Sequence, residues 1–259
     1  MAPGPDRPGR PTALWRPAHT PALLLAAVVL TAAACGGEGE QPPPAPSART
    51  MPRDAAGDRI GTLSVGTAQG PRACTASVVH STRRDLLVTA AHCVDDGQGG
   101  PPEDLVFTPG YRKGLAPYGS WPVDAVTVDR RWTEDLDPEY DVAFVTVRPV
   151  GGRQIEDVVG ANALGGTDGF GVAVSVTGYP YAAEEPITCS ARTASQSPTQ
   201  ERFDCDGYAN GTSGSPWVTS DGQVVGVIGG YQEGGDTDRV SYSITFDDRV
   251  TQLYHRAAG

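Results

Sequence analysis

From Asp58 onward the sequence predicts an all-β protein, an antiparallel barrel or sandwich. Three observations carry this. Ten short apolar alternations follow one another, each only a few residues long. The breaks between them are filled from a large stock of turn formers, 33 glycines and 23 prolines. A helical period is confined to the last residues, where Val250, Leu253 and Tyr254 share one face. With 259 residues, 39% hydrophobic and 20% charged, the chain is long enough for one substantial core or two small ones.

Taken in order, the chain opens with an expected export signal, residues 1–34. Arg7, Arg10 and Arg16 precede the apolar run "ALLLAAVVLTAAA", Ala22 to Ala34. That run is shorter than the ~20 residues a membrane span needs, and small residues end it. Residues 35–58 are rich in Gly and Pro with few bulky apolar groups, so a Pro/Gly-rich unfolded tether is expected. The expected strands are 62–67, 73–81, 86–91, 104–110, 123–129, 141–147, 172–180, 215–220, 223–232 and 239–246. "TSDGQ", Thr219 to Gln223, joins two of them as a hairpin turn. A helix is expected over 247–256. No internal repeat is visible.

The formal net charge is −11. Removing residues 1–34, with three arginines and one aspartate, makes the remainder more acidic still. Such an acid excess favours solubility and argues against a nucleic-acid partner. The single lysine, Lys113, with the Ala, Gly and Pro bias resembles a bacterial gene of high GC content. Five cysteines are present and no C-x-x-C pair, so no metal site is expected. In an oxidising compartment the four in the folded region should pair, most simply as neighbours: Cys74 with Cys93 and Cys189 with Cys205. Each loop is short, so each bridge contributes ~3 kcal/mol. Cys35 is left over.

Four histidines supply the bases available near neutral pH. His19 lies in the export signal, and His80 and His255 read as surface or packing residues. His92 follows the apolar "LLVTAA" and precedes Cys93, a position where a strand end and a disulfide would hold it firmly. Most acids sit in polar loops. Asp141 instead opens "DVAFVTV", where a carboxylate is costly unless paired, and it is the expected partner of His92. "GTSGSP", Gly211 to Pro216, reads either as a polar turn or as a bend holding a nucleophile, Ser213. Gly211 and Gly214 allow a sharp bend, and the Gly211 and Ser213 amides could form an oxyanion hole.

"TAAHC" at 89–93, "DVAF" at 141–144 and "GTSGSP" at 211–216, in that order, resemble the His, Asp and Ser motifs of the chymotrypsin/trypsin-like serine peptidases. "TGYP" at 177–180 and the "SGSP" ending are most similar to the bacterial glutamyl-endopeptidase-like branch. The resemblance covers about Arg59 to His255. It implies two six-stranded antiparallel β-barrels, about 59–150 and 151–246, with a C-terminal helix and the site in the cleft between barrels. It implies a Ser213–His92–Asp141 triad working through an acyl-enzyme on a protein or peptide substrate, with no cofactor. Gly229, Gly230 and Tyr231 match the strand that pairs with extended substrate backbone.

Two departures stand out. Thr212 replaces the aspartate that precedes the nucleophile in members activated by an inserted N-terminus, so a cut at Arg59-Ile60-Gly61 would leave the new end no acceptor. The serine that supports the buried aspartate in many relatives is missing near Gly229. Gly207 stands where trypsin-like members place the aspartate that selects Arg or Lys, and no histidine marks a glutamyl pocket. The expected specificity pocket is one restricted by Tyr208, without strong preference for charged side chains. "TAAAC" ending at Cys35 resembles a bacterial lipoprotein signal, although Ala32 stands where leucine is usual. Lipidation of Cys35 is the favoured reading, with ordinary cleavage and release open beside it. The protein is thus expected outside the cell, secreted or lipid-anchored, as a monomer, with membrane contact only through such an anchor. The alternative is a non-catalytic binding protein on the same fold; a metal hydrolase is a distant third, because ligand clusters are absent.

Overall fold

In the computed structural model, which describes residues 45–259 apart from 98–99, 101 and 167–168, the chain enters as a strap along the second lobe. Asp206 donates its N–H to Pro46 O at 2.9 Å, and Ala48 N–H donates to Asp206 O at 2.7 Å. Strand β1 (Arg49–Thr50) then pairs antiparallel with residues 187–188. Met51 is buried, and the Arg112 guanidinium donates to Met51 O and Pro52 O at 2.6 and 3.0 Å. Asp54 caps a helical turn, α1 (Ala55–Asp58), accepting from Gly57 N–H at 2.7 Å. This corrects the tether expected over 35–58, whose latter part is packed. An open sheet edge can pair with any backbone, so apolar bulk was not required. The expected export signal and Cys35 lie outside the described residues.

The first lobe is a closed barrel of six strands. They are β2 (Ile60–Val65), β3 (Arg72–Val79), β4 (Leu86–Thr89), β5 (Leu105–Pro109), β6 (Trp121–Val128) and β7 (Ala143–Val147), arranged β2-β3-β4-β7-β6-β5 with β5 closing back on β2. Strands β4 and β7 read as unbroken apolar runs because both of their faces are buried. Leu87, Ala143, Val145 and Val147 point into the barrel with Phe107 and Trp121. Leu86, Val88 and Phe144 point the other way, into a second core shared with Val224, Val227, Ile244, Val250 and Leu253. The period-two alternation thus distributes one strand between two cores. Burying each such side chain contributes roughly 1.5–3 kcal/mol. Ile60 is buried in β2, so the Arg59–Ile60 bond lies at the start of a barrel strand.

Helices α2 (Arg130–Asp135) and α3 (Ile155–Val159) follow β6 and β7. The second lobe contains β8 (Ala163–Leu164), β9 (Ala173–Gly178), β10 (Ile187–Arg192), β11 (Ala194–Ser195), β12 (Gln200–Asp204), β13 (Pro216–Val218), β14 (Gln223–Val227) and β15 (Val240–Ile244). These form a six-stranded sheet, β1-β10-β9-β13-β14-β8, and a three-stranded one, β11-β12-β15. The two sheets share a core of Val176, Phe203, Tyr208, Trp217 and Ile228. The lobe therefore differs from a second closed six-strand ladder, and its edge strand β8 runs parallel to β14. Where β14 meets β15 a side chain replaces the ladder: Val227 N–H donates to Ser243 Oγ at 3.0 Å. Helix α4 (Asp248–Ala258), capped by Asp247, packs Val250 and Leu253 into the core between the lobes. Disulfides join Cys74 to Cys93 and Cys189 to Cys205. Among the described residues no helix is long and apolar enough to cross a membrane.

Candidate active site

His92 sits in a 3₁₀ turn, Ala91–Cys93, directly after β4. The Cys74–Cys93 bridge staples that turn to β3, with Cα atoms 5.9 Å apart. Asp141 lies between a second 3₁₀ turn, Pro138–Tyr140, and β7, and its side chain is 0% exposed. Its charge is matched by three donors. His92 N–H reaches Oδ1 at 2.9 Å, while His92 Nδ1 and Gly230 N–H reach Oδ2 at 2.8 and 2.7 Å. A carboxylate only accepts, so the imidazole proton sits on Nδ1 and Nε2 is left as the free base.

The Gly230 amide replaces the missing serine hydroxyl. A Cβ on Gly229 would lie 3.0 Å from Asp141 O and Oδ2 and 3.1 Å from Ala90 Cβ, so a side chain there would require these neighbours to shift by a few tenths of an ångström. The backbone donor next to it does the same work.

Burial of the His92 ring pulls its pKa down. The Asp141 charge, its hydrogen bond and a further contribution from the Glu233 carboxylate together outweigh that effect, and the net shift is upward from 6.5. A base must be neutral to accept a proton, so any reaction needing His92 as base gains rate as pH rises through a value above 6.5. A pH profile of kcat/KM is expected to bend there. An inflection at or below the unperturbed value would contradict the ion-pair geometry.

Ser213 is half-buried within a run of buried neighbours, Gly211, Thr212, Gly214 and Ser215. Gly211 has φ 101°, a region only glycine enters without strain. Among the described residues neither the Gly211 nor the Ser213 N–H has a hydrogen-bond partner. Both amides are free to receive an oxyanion.

The residue that fixes this loop is Thr75, which sequence reasoning missed. Its N–H donates to Ser213 O at 2.8 Å and its Oγ1 donates to Gly211 O at 2.9 Å. The same Oγ1 accepts from Tyr179 N–H at 3.0 Å. A first-lobe strand thereby holds the second-lobe loop against His92. Only the position of Thr75, one residue after Cys74, hinted at this.

Three adjoining cavities surround these groups. One of about 590 Å³ contains His92, Gly211, Ser213 and Tyr181. A second, about 310 Å³, is lined by Tyr208, Asn210, Ser213, Ile228, Glu233 and Asp236. A third of about 310 Å³ runs past His92, Trp132 and Gly230.

The expected substrate-binding residues fare unevenly. Tyr208 does line the second cavity, with its hydroxyl anchored on Val176 O at 2.7 Å. Gly207 does not line it; a Cβ there would face Ala48 of the entering strap at 3.2 Å. The segment Gly229–Tyr231 keeps its three N–H groups inside the protein. Gly229 N–H bonds Tyr242 O, Gly230 N–H bonds Asp141, and Tyr231 N–H bonds Gln200 Oε1. The chain curls here into the turn Tyr231–Gly234, so these donors are spent inside the protein. Cys74, His92 and Cys93 also gather within 4.8 Å, but both sulfurs are consumed in their disulfide and offer no thiolate to a metal.

Comparison with known proteins converges on one family. The trypsin-like peptidase domain matches residues 74–227, a span that includes Thr75, His92, Asp141 and Ser213. The protease Anisep from Arthrobacter nicotinovorans is 25% identical, covering 79% of this chain and 97% of its own, with a TM-score of 0.69. The thermostable serine protease AL20 from an extremophilic microorganism is 27% identical over 79% of this chain and 99% of its own, TM-score 0.70. A Glu endopeptidase shares the fold at 16% identity, covering 82% of this chain and 97% of its own, TM-score 0.70. No curated protein matches the chain by sequence.

Proposed function

Since this chain belongs to the trypsin-like peptidase domain family and is a serine peptidase, we propose that it is an exported endopeptidase working through Ser213, His92 and Asp141. One observation carries the reading: the His92–Asp141 pair opens onto the same cavity as Ser213 and the unbonded Gly211 amide. His92 Nε2 takes the Ser213 hydroxyl proton as Oγ attacks the peptide carbonyl. The carbonyl oxygen becomes negative and is received by the Gly211 and Ser213 N–H groups. Asp141 holds the proton on Nδ1 and stabilises the imidazolium. As the C–N bond breaks, His92 returns the proton to the leaving amine, and an acyl-enzyme remains on Ser213. Water, deprotonated by His92, then releases the acid. Two disulfides support the export part of the reading, since such bonds persist in oxidising compartments.

The test is to express the full chain in a bacterial host and label each cell fraction with a fluorophosphonate, with Ser213→Ala and Cys35→Ser alongside. Wild type should label outside the cytoplasm and Ser213→Ala should not. No wild-type labelling would remove the enzyme reading in favour of a binding protein. Labelling confined to the cytoplasm would remove export alone.

A further inference from the structure

The Asp141 carboxylate takes three donors, and two of them, the backbone N–H and Nδ1, belong to His92 itself. The third, Gly230 N–H at 2.7 Å, comes from the second lobe. Gly230 has φ 79° and ψ −124°, and glycine's free backbone leaves the direction of that N–H to whatever packs around it. One buried side chain does so. Gln200, first residue of β12 and 3% exposed, accepts from Tyr231 N–H through Oε1 at 3.2 Å. That N–H belongs to the peptide unit immediately after Gly230. A Cβ on Gly230 would lie 2.5 Å from the same Oε1, so the Gln200 amide rests against the glycine. On its other side, Gln200 Nε2 donates to Pro138 O at 3.2 Å and to Glu139 Oε1 at 3.1 Å. Both acceptors lie in the 3₁₀ turn that runs into Asp141. The amide is thereby fixed in orientation, because a flip would set its NH₂ against an N–H and its oxygen against two acceptors.

We propose that Gln200 is a positioning residue of the triad: it ties the turn bearing the Gly230 amide to the turn bearing Asp141, and so holds that amide on the carboxylate. The inference rests on reading His92 and Asp141 as the base and orienting acid for Ser213. Gln200 is not among the described residues lining the three cavities around His92 and Ser213, so it acts through Gly230 and Asp141 rather than on substrate. Without the clamp the Gly230 amide is free to turn away, which leaves Oδ2 to His92 Nδ1 alone. A carboxylate with one donor fewer attracts the imidazolium more strongly, so His92 should release its proton at higher pH. The other charges near His92 are Glu233, and Asp95 and Asp96 on loops lining the same cavities; Glu139 lies in the turn before Asp141. Removing the Gln200 amide alters none of them.

The probe is a fluorophosphonate, whose rate of reaction with Ser213 is followed against pH in the full chain. Gln200→Leu keeps the bulk and removes the clamp. It is expected to lower the plateau rate about tenfold, the scale of one hydrogen bond to a charged group, and to move the inflection to higher pH. Gln200→Glu alone sets two carboxylates face to face and should also lose rate. Adding Glu139→Gln to it puts a donor opposite an acceptor again, and the plateau should return to within about threefold of wild type. Circular dichroism melts show which variants are folded, and the exchanged pair decides the matter if Gln200→Leu is not. An inflection in Gln200→Leu that stays or falls marks a merely structural residue and overturns the proposal. So does a plateau within about twofold of wild type, or an exchanged pair no faster than Gln200→Glu. In each of these outcomes Ser213 still labels and the peptidase reading stands, whereas a wild type that does not label removes both.

Discussion

Replacing Asp141 by asparagine is expected to lower kcat by roughly 10⁴-fold, the scale known for this change in a Ser-His-Asp triad. The geometry explains why. Three N–H groups point at the carboxylate. A carboxamide offers one acceptor oxygen and one NH₂, so at least one donor must face another donor. If the NH₂ faces His92, the ring is driven to the other tautomer, with its proton on Nε2 and no base left for Ser213. The same NH₂ also faces Gly230 N–H, which shares Oδ2 with the ring; turned to the Oδ1 side it faces the His92 backbone N–H instead, and either way a buried donor is left unpaired at about 1–3 kcal/mol. Steady-state kinetics on titrated enzyme, with circular dichroism to verify folding, checks this. A loss of less than about tenfold would mean that Asp141 does not set the tautomer.

The second large effect is expected from Gly211→Ala. The residue sits at φ 101°, and a Cβ would lie 2.4 Å from the Tyr181 ring and 2.6 Å from Tyr179 O. The ring can turn, but the carbonyl belongs to backbone whose N–H is bonded to Thr75. The peptide must therefore rotate, which moves the Gly211 N–H off the oxyanion position and breaks the Thr75 bond to Gly211 O. Losing one oxyanion donor costs about 10²–10³ in kcat. The strained φ adds about 1–3 kcal/mol of destabilisation, which should lower Tm by a few degrees. The fall should appear in kcat more than in KM, because the donor acts on charge that develops only in the transition state. Activity within about threefold of wild type would place the oxyanion elsewhere.

The legible part of the fold was the part with apolar alternation. The runs at 86–91 and 141–147 stand over β4 and β7, and "TSDGQ" is the turn between β13 and β14, with Gly222 at φ 81°. Strands β10 and β12 went unseen. Thr188, Ser190, Arg192, Gln200, Glu201 and Arg202 dominate them, and what makes them strands is pairing with β9 and β15 rather than their own composition. Helix α3 was missed because five residues are too few for a period to show.

In the candidate site, His92, Asp141 and Ser213 could each be singled out by local logic. A base stood at a strand end, an acid opened an apolar run, and a serine sat between glycines. Which specificity residues matter was not legible. Gly207 follows from its spacing before Ser213 and Gly229–Tyr231 from resemblance to a substrate-pairing strand, and neither signal reports that a strap from residue 46 covers one and that a turn follows within the other.

Sequence by itself determined what could be written in single residues and short periods. It set the strand-rich class, the ionisable groups available for acid–base work, the glycines a tight bend requires and the cysteines free to pair. Tertiary structure alone decided the roles that belong to backbone atoms and to charge in space. The Gly230 amide took over from a missing serine, Thr75 tied two lobes across one loop, and Glu233 came to face His92 and Ser213 together. The physical reason is that every residue carries the same N–H and C=O, so a backbone donor leaves no mark in the sequence. A carboxylate's field likewise depends on distance through the fold, which residue order does not record.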